Sequence, residues 1–192
     1  SGNLDLVNGT RLMVTNGGLN LANGDFEING STAILSNSSF ATATGKGVNQ
    51  QGAKSQLYLT NCVVNIGKDF KNNAGTRRLE NVCLTVGELY SNSSKDTLMN
   101  VCATVGTGFT NAAKAQSYIE DSEINVVNGH FANQTLGYVN GSNLKLWVQN
   151  GNVNNLGFWT AGVTHYCVSG TVGIPVSKLP ATEVCSNIAW YF

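Results

Sequence analysis

The chain has 192 residues, with 11 Lys or Arg balanced by 11 Asp or Glu, so its formal net charge is zero. Charged residues make up 11% of the chain, against roughly 25% in an average protein. This argues against nucleic acid as a partner, because binding to phosphates requires a basic surface. The chain contains no apolar run of about 18 residues, so no membrane span is predicted.

A repeat of about 20 residues runs along the chain, with copies predicted to start at residues 7, 28, 59, 79, 98, 119 and 139. Most copies begin with an apolar residue and carry Asn or Asp two positions later, as in Leu59 with Asn61 and Leu79 with Asn81. The long interval between the starts at 28 and 59 predicts an insertion at residues 41–55. A short fixed period indicates that one structural unit is stacked many times.

Within each copy, apolar and polar residues alternate as they do on a β-strand. Cys62, Val64 and Ile66 share one side, and equivalent residues of other copies are mostly apolar, so this side is expected to face the interior. The other side predicts an outer row, a candidate binding surface: Asn65, Thr85, Thr104, Asn125 and Lys145. No segment has a helical apolar period. The sequence therefore predicts an all-β, single-domain parallel β-solenoid of about seven to eight coils.

The repeats are predicted to fill residues 1–162, and residues 163–192 to form a C-terminal cap or a junction. This last segment contains both prolines and the pair Cys167 and Cys185, whose disulfide would staple the cap. A cap is expected because an open solenoid end exposes apolar interior and unpaired strand edges. The N-terminal residues are too few for a strong cap, so a partner, a preceding domain or a second copy is expected there.

Three more cysteines lie in the repeats. Cys83 and Cys102 hold equivalent outer positions in consecutive copies, where stacking would bring their Cα atoms within about 5 Å and permit a disulfide. Cys62 falls on the inner side; the alternative is that all three are reduced and buried. No metal or other cofactor is predicted, because Cys-x-x-Cys spacing is absent and His130 and His165 complete no ligand set. Paired cysteines favour an extracellular or cell-surface location.

Asn is frequent, at 26 of the 192 residues. Stacked Asn side chains at inward-facing turns can form hydrogen-bonded ladders. The predicted ladder consists of Asn61, Asn81, Asn100 and Asp121, and its expected role is to satisfy the turn backbone. A ligand-binding row is the alternative interpretation.

With this coil pattern the chain resembles the right-handed parallel β-helix proteins. These include pectate-lyase-like polysaccharide lyases, galacturonan hydrolases, phage tailspikes, autotransporter adhesins and some ice-binding proteins. The resemblance covers most of the chain but consists of the coil pattern alone, without a motif specific to one family. It implies a secreted or cell-surface protein, and fold by itself does not assign an activity.

Candidate catalytic groups are sparse. The one dense acidic group is Glu120, Asp121 and Glu123, whereas a hydrolase needs carboxylates clustered on one strand face. This favours a structural or adhesive module over an enzyme, with a second copy of itself or surface glycans as the partner. Self-assembly into a filament or surface layer is part of this hypothesis.

Two alternatives stay open. One is a carbohydrate-binding or carbohydrate-active β-helix, with Trp147 and Trp159 as aromatic platforms or, equally, as core residues. The other is an ice-binding protein, for which the stacked Thr85 and Thr104 are the relevant residues.

Overall fold

Each repeat folds into one coil made of three strands, and the coils stack into a parallel β-solenoid of eight turns of about 21 residues. The structure is a computed structural model that describes residues 2–181. Every strand pair in these residues is parallel, and equivalent residues of successive coils face one another in register. The all-β solenoid predicted from the repeat is therefore confirmed.

The strands form three faces. The first face contains β1 (Leu4–Val7), β4 (Phe26–Asn29), β7 (Val48–Gln51), β9 (Phe70–Asn72), β11 (Leu89–Asn92), β13 (Gly108–Asn111), β16 (His130–Asn133) and β19 (Val153–Asn155). The second contains β2 (Arg11–Thr15), β5 (Thr32–Ser36), β14 (Gln116–Glu120), β17 (Tyr138–Ser142) and β20 (Phe158–Trp159). The third contains β3 (Gly18–Leu21), β6 (Ser39–Thr42), β15 (Glu123–Asn128), β18 (Leu144–Asn150) and β21 (Val163–Val168). Three long strands bend from the second face onto the third: β8 (Gln56–Ile66), β10 (Thr76–Val86) and β12 (Lys95–Val105).

The core is the space that the three faces enclose. On the third face the inward residues are apolar as predicted, for example Val64, Leu84 and Ile124, all at most 2% exposed. The first face contributes a column of buried rings, in which Tyr90, Phe109 and Phe131 stack nearly parallel with centroids 4.3 and 4.6 Å apart. These rings are the aromatic residues that close each repeat. The repeat recurs because each coil places an equivalent residue at the same position of a continuous core.

The bend between the second and third faces depends on a single residue per coil with left-handed backbone. Asn61, Asn81 and Asn100 have φ of 52°, 54° and 51°, and Asp121 has φ of 49°. Asn and Asp tolerate this region better than other residues that carry a Cβ, which explains their recurrence two positions after each apolar start. We call this bend the asparagine corner.

A ladder runs along the asparagine corner, but it lies on the outside and not in the interior as predicted. Asn81 donates from Nδ2 to Oδ1 of Asn61 over 2.9 Å, Asn100 donates to Asn81, and Asn143 donates to Asp121. These side chains are exposed because left-handed backbone turns them away from the core.

The inward ladder is formed instead by the Asn that closes each repeat. Asn72, Asn92, Asn111 and Asn133 are at most 1% exposed, and each donates to the next along the axis over 2.7–3.3 Å, the last to Asn155. Each also donates to a backbone carbonyl at the start of the second face, as Asn92 does to Gln116. The buried amides thus satisfy the corner between the first and second faces.

The predicted insertion at residues 41–55 is wrong. This segment contains β7, which pairs in register with β4 and β9 and so completes a coil, whose period from Asn37 to Asn61 is 24 residues. The equivalent of Leu59 in the preceding coil is Leu35 and not Ile28. The starts at 7 and 28 lie on the first face, where Val7 and Asn29 pair, because the short sequence match did not distinguish one face from another.

The solenoid continues beyond the predicted boundary at residue 162. Residues Val163–Val168 form β21, which pairs with β18 and belongs to the last coil. A bridge between Val153 and Val172 and a 3-10 turn at Val176–Lys178 follow. Residues 182–192, which include Cys185, lie outside the described residues. Within residues 2–181, no helix is long and apolar enough to cross a membrane.

Candidate functional site

The predicted outer row lies on the third face. Asn65, Thr85, Thr104 and Asn125 stand in register on successive coils, as predicted. Lys145 does not belong to this row, because Asn125 pairs with Trp147 and Lys145 pairs with Glu123. The coil from Asp121 to Asn143 is 22 residues long and not 20, which shifts the register. With two Thr between two Asn, the row is not the regular Thr array that an ice-binding face requires.

A second outer row runs beside it, next to the asparagine corner. Its members, in register from coil to coil, are Cys83, Cys102, Glu123, Lys145 and His165. Together with the exposed amides of the corner they line a shallow groove of about 640 Å³. We call this surface the thiol groove. It brings together the titratable side chains that the sequence placed in separate repeats.

The thiols of Cys83 and Cys102 are free and exposed, and the thiol of Cys62 is free and buried. The stacking of Cys83 on Cys102 was predicted, but the disulfide between them is not formed. Parallel, in-register neighbours keep their Cβ atoms near the strand spacing of about 4.8 Å, whereas a disulfide holds them about 3.5–4.5 Å apart. Partial burial raises the pKa of the Cys102 thiol, and Cys83 and Glu123 raise it further.

The acidic residues of the site do not form a catalytic pair. Glu120 lies on the second face, where Tyr118 donates a hydrogen bond of 2.8 Å to it. Glu123 lies beyond the corner on the third face and accepts a hydrogen bond of 2.9 Å from Nε1 of Trp147. The left-handed turn at Asp121 separates Glu120 from Glu123, so the two carboxylates stand on different faces of the solenoid.

An exposed aromatic surface on the second face was not predicted. The rings of Tyr138 and Phe158 stack with centroids 4.6 Å apart and an interplanar angle of 17°, and both are 47% exposed. Tyr118 stands on the neighbouring strand and is 38% exposed. We call these three residues the aromatic strip. The signal in the sequence was the 20-residue spacing of Tyr138 and Phe158, which pair in register, whereas Tyr118 pairs with Asn140.

Tyr118 and Tyr138 of the aromatic strip line a groove of about 500 Å³, to which several polar side chains also contribute. Lys95, Gln116, Asn140 and Thr160 contribute an ammonium, two amides and a hydroxyl, and Thr160 donates to Asn140 over 2.9 Å. The hydrogen bond to Glu120 raises the pKa of Tyr118, so its hydroxyl stays protonated at neutral pH. This combination offers apolar ring faces next to donors and acceptors.

Trp147 and Trp159 are not surface platforms. They are 7% and 5% exposed, and Trp159 donates from Nε1 to the carbonyl of Ala161 inside the last coil. Residues 2–181 contain no cluster of three or more His, Cys, Asp or Glu that could hold a metal.

Comparisons with protein-family models, with curated proteins and with solved structures gave no match. The fold and its surfaces therefore define the class, a parallel β-solenoid, and no specific family within it.

Proposed function

We propose that this protein is a secreted or cell-surface adhesive module that binds carbohydrate through the aromatic strip. The observation that carries the proposal is the exposure of Tyr138 and Phe158 as a stacked pair, with Tyr138 and Tyr118 lining a groove beside it. Single exposed apolar residues need no explanation, but aligned rings beside a concave surface with a few polar groups are typical of a binding site. The flat apolar side of a sugar ring stacks on such rings while its hydroxyls bond to the amides.

The β-solenoid suits this role because it is a rigid rod that repeats its surface. Lys95 is the exposed charge of the groove, because Asp96 is buried in its ion pair with Arg77, and this favours neutral or acidic glycans over cationic ligands. The separated carboxylates Glu120 and Glu123 support a binding module over the enzymatic alternative. A glycan array followed by affinity electrophoresis on the retained polysaccharides tests the proposal.

Removal of the stacked rings gives the decisive comparison. We expect Tyr138→Ala with Phe158→Ala to weaken binding by about 10-fold or more, since aromatic contacts contribute about 0.5–1.5 kcal/mol each beyond area burial. Tyr58→Ala is the matched control, because Tyr58 is on the same face but four coils away from Tyr138. Undiminished binding by the double variant, or an array without any retained glycan, would overturn the proposal.

Self-association is the second candidate function, and the N-terminal coil, formed by β1, β2 and β3, favours it. Within residues 2–181 the outer edges of β1, β2 and β3 have no strand partner. Leu12, Val14 and Leu19 are only partly buried there. Open edges with apolar side chains promote strand addition, so a second copy of the chain is the proposed partner.

Sedimentation at increasing protein concentration should show dimers of the wild-type protein. We expect Leu19→Lys to abolish these dimers. The control Met13→Lys should retain them, because Met13 lies on the exposed outer side of β2. A wild-type protein that stays monomeric at every concentration would contradict self-association.

An extracytoplasmic location is part of the proposal, together with a disulfide between Cys167 and Cys185 at the C-terminal end. The proposal rests on the change of composition there, since Cys185 lies outside the described residues. Mass spectrometry of the alkylated, non-reduced protein should find three modified cysteines, matching the free thiols of Cys62, Cys83 and Cys102. Five modified cysteines in freshly purified protein would remove this support for secretion.

A further inference from the structure

The thiol groove contains two nucleophilic side chains that the proposed function does not use. Cys83 on β10 and Cys102 on β12 are direct neighbours on two adjacent parallel strands. Both are exposed and line the same groove, on a different face from the aromatic strip. They form a pair held by the most regular part of the solenoid, where β8, β10 and β12 pair along ten positions.

The spacing of this pair disfavours one chemistry and suits another. The Cβ atoms of side chains stacked on parallel strands are about 4.8 Å apart, beyond the range of about 3.5–4.5 Å in a disulfide. A metal ion bridging two thiolates separates the sulfurs by twice the metal–sulfur distance. A zinc–thiolate bond of about 2.3 Å sets the scale of metal–sulfur bonds. A linear bridge with two bonds of this length spans about 4.6 Å, close to the strand spacing.

The ligand set selects the kind of ion. Two sulfurs without a third ligand suit a soft cation that accepts linear two-coordination, and soft thiolates select Cu(I) among biological metals. Zn²⁺ requires about four ligands in a tetrahedron, which this row does not offer. Glu123 is the next residue in the row and can attract the incoming cation, while Lys145 beyond it limits the negative charge of the complex.

We propose that Cys83 and Cys102 form a surface site for a soft monovalent cation, Cu(I) or its analogue Ag(I), bound between the two thiolates. Binding replaces two thiol protons with one cation, so two protons are released and the site changes from neutral to a charge of minus one. Because two protons are released on binding, the affinity should increase as the pH rises.

Competition with a chromophoric Cu(I) chelator, under anaerobic and reducing conditions, tests the site in the full chain. The wild-type protein is compared with Cys83→Ser, Cys102→Ser and the control Cys62→Ser, in which the buried thiol is removed. We expect Cu(I) affinity to fall by more than about 100-fold in each of the first two variants, beyond the effect of losing an outer-shell contact. The control should bind as the wild type does.

X-ray absorption of the Cu(I)-loaded protein gives an independent readout, with two sulfur neighbours and no nitrogen expected. The proposal is overturned by wild-type protein that does not compete for Cu(I), by single Ser variants that bind as tightly as the wild type, or by a Cys83–Cys102 disulfide in peptide maps. Circular dichroism confirms that the exposed Ser variants fold, so loss of binding is not loss of structure.

Discussion

Asp96 and Arg77 form an ion pair that is completely closed to solvent, inside a core that is otherwise mostly apolar. Arg77 lies 4.3 Å from the ring centres of both Phe70 and Tyr90 and donates to the carbonyl oxygens of Phe70 and Ser91. The hydroxyl of Tyr90 donates to Asp96 over 2.7 Å. Burial raises the pKa of Tyr90 well above its ordinary value, so the hydroxyl remains a donor. Each charge is therefore fully partnered.

We expect Asp96→Asn to lower the free energy of unfolding by about 3–5 kcal/mol, because it leaves the buried guanidinium without a counter-charge. A matched variant replaces the cluster with apolar groups: Arg77→Met, Asp96→Leu and Tyr90→Phe together. This variant should lie within about 2 kcal/mol of the wild type, since no buried charge remains. Urea denaturation followed by circular dichroism measures both. Equal losses in the two variants would mean that packing, and not charge, controls this site.

Glu27 links stability to pH at the first face. It stacks on Asp5 and lies near Asp25, while Asn49 donates to it over 2.9 Å and Lys71 stands one coil further along the same row. Partial burial raises the pKa of Glu27 above the ordinary 4.5; the Asn49 hydrogen bond lowers it, and Asp25 and Asp5 raise it. The folded state therefore holds this proton more tightly than the unfolded state does.

The consequence is that the contribution of Glu27 to stability falls as the pH rises from 4.5 through its folded pKa. We expect Glu27→Gln to remove this fall and to raise the urea midpoint near neutral pH. Urea midpoints measured between about pH 4 and pH 7 test this. Parallel profiles for Glu27→Gln and wild type would contradict it.

At the scale of the element, the turn from the third face to the first is set by how closely coils approach. Gly67, Gly87 and Gly106 stack at this turn, and a Cβ on Gly106 would overlap the carbonyl oxygen of Gly87. These glycines do not need a positive φ; they need the absence of a side chain. The asparagine corner uses the opposite solution, a left-handed residue that keeps its side chain outside.

Gly106→Ala should cost about 1–3 kcal/mol of unfolding free energy, as expected for an added methyl group without space. Gly162→Ala is the control, because no atom lies within 4 Å of its Cβ position and its φ is not positive. That variant should stay within about 0.5 kcal/mol of the wild type. Thermal and urea unfolding distinguish the two. A neutral Gly106→Ala would show that the coils can separate at this turn.

At the scale of the whole molecule, each coil contacts mainly its two neighbours, so the rod should tolerate the loss of a complete period. Deletion of residues 98–118 joins Thr97 to Ile119 and retains Arg77 and Asp96. Tyr90 would then stack on Phe131, and Asn92 would meet Asn133, both in their present registers. We expect a folded β-protein of lower stability by circular dichroism. Deletion of residues 98–108, half a period, should not fold; equal behaviour of the two deletions would refute the nearest-neighbour description.

The sequence by itself determined the stacking of Cys83 on Cys102, the inward apolar column and the all-β solenoid, because a strict period can be satisfied only if equivalent residues fill equivalent places. It also contained the asparagine repeat, since left-handed corners select Asn at a fixed position. It did not predict the pairing of Arg77 with Asp96: they lie 19 residues apart, and a charged residue at an inward position breaks the apolar pattern.

Only the tertiary structure decided which residues share a row once coil lengths differ. The 22-residue coil moved Lys145 into the thiol groove and placed Trp147 after Asn125. The register also determines that residues 41–55 complete a coil, that the aromatic strip is exposed and that both tryptophans are buried. The physical reason is that a strand alternates its sides at every residue, so one added residue in a turn changes which side chains meet.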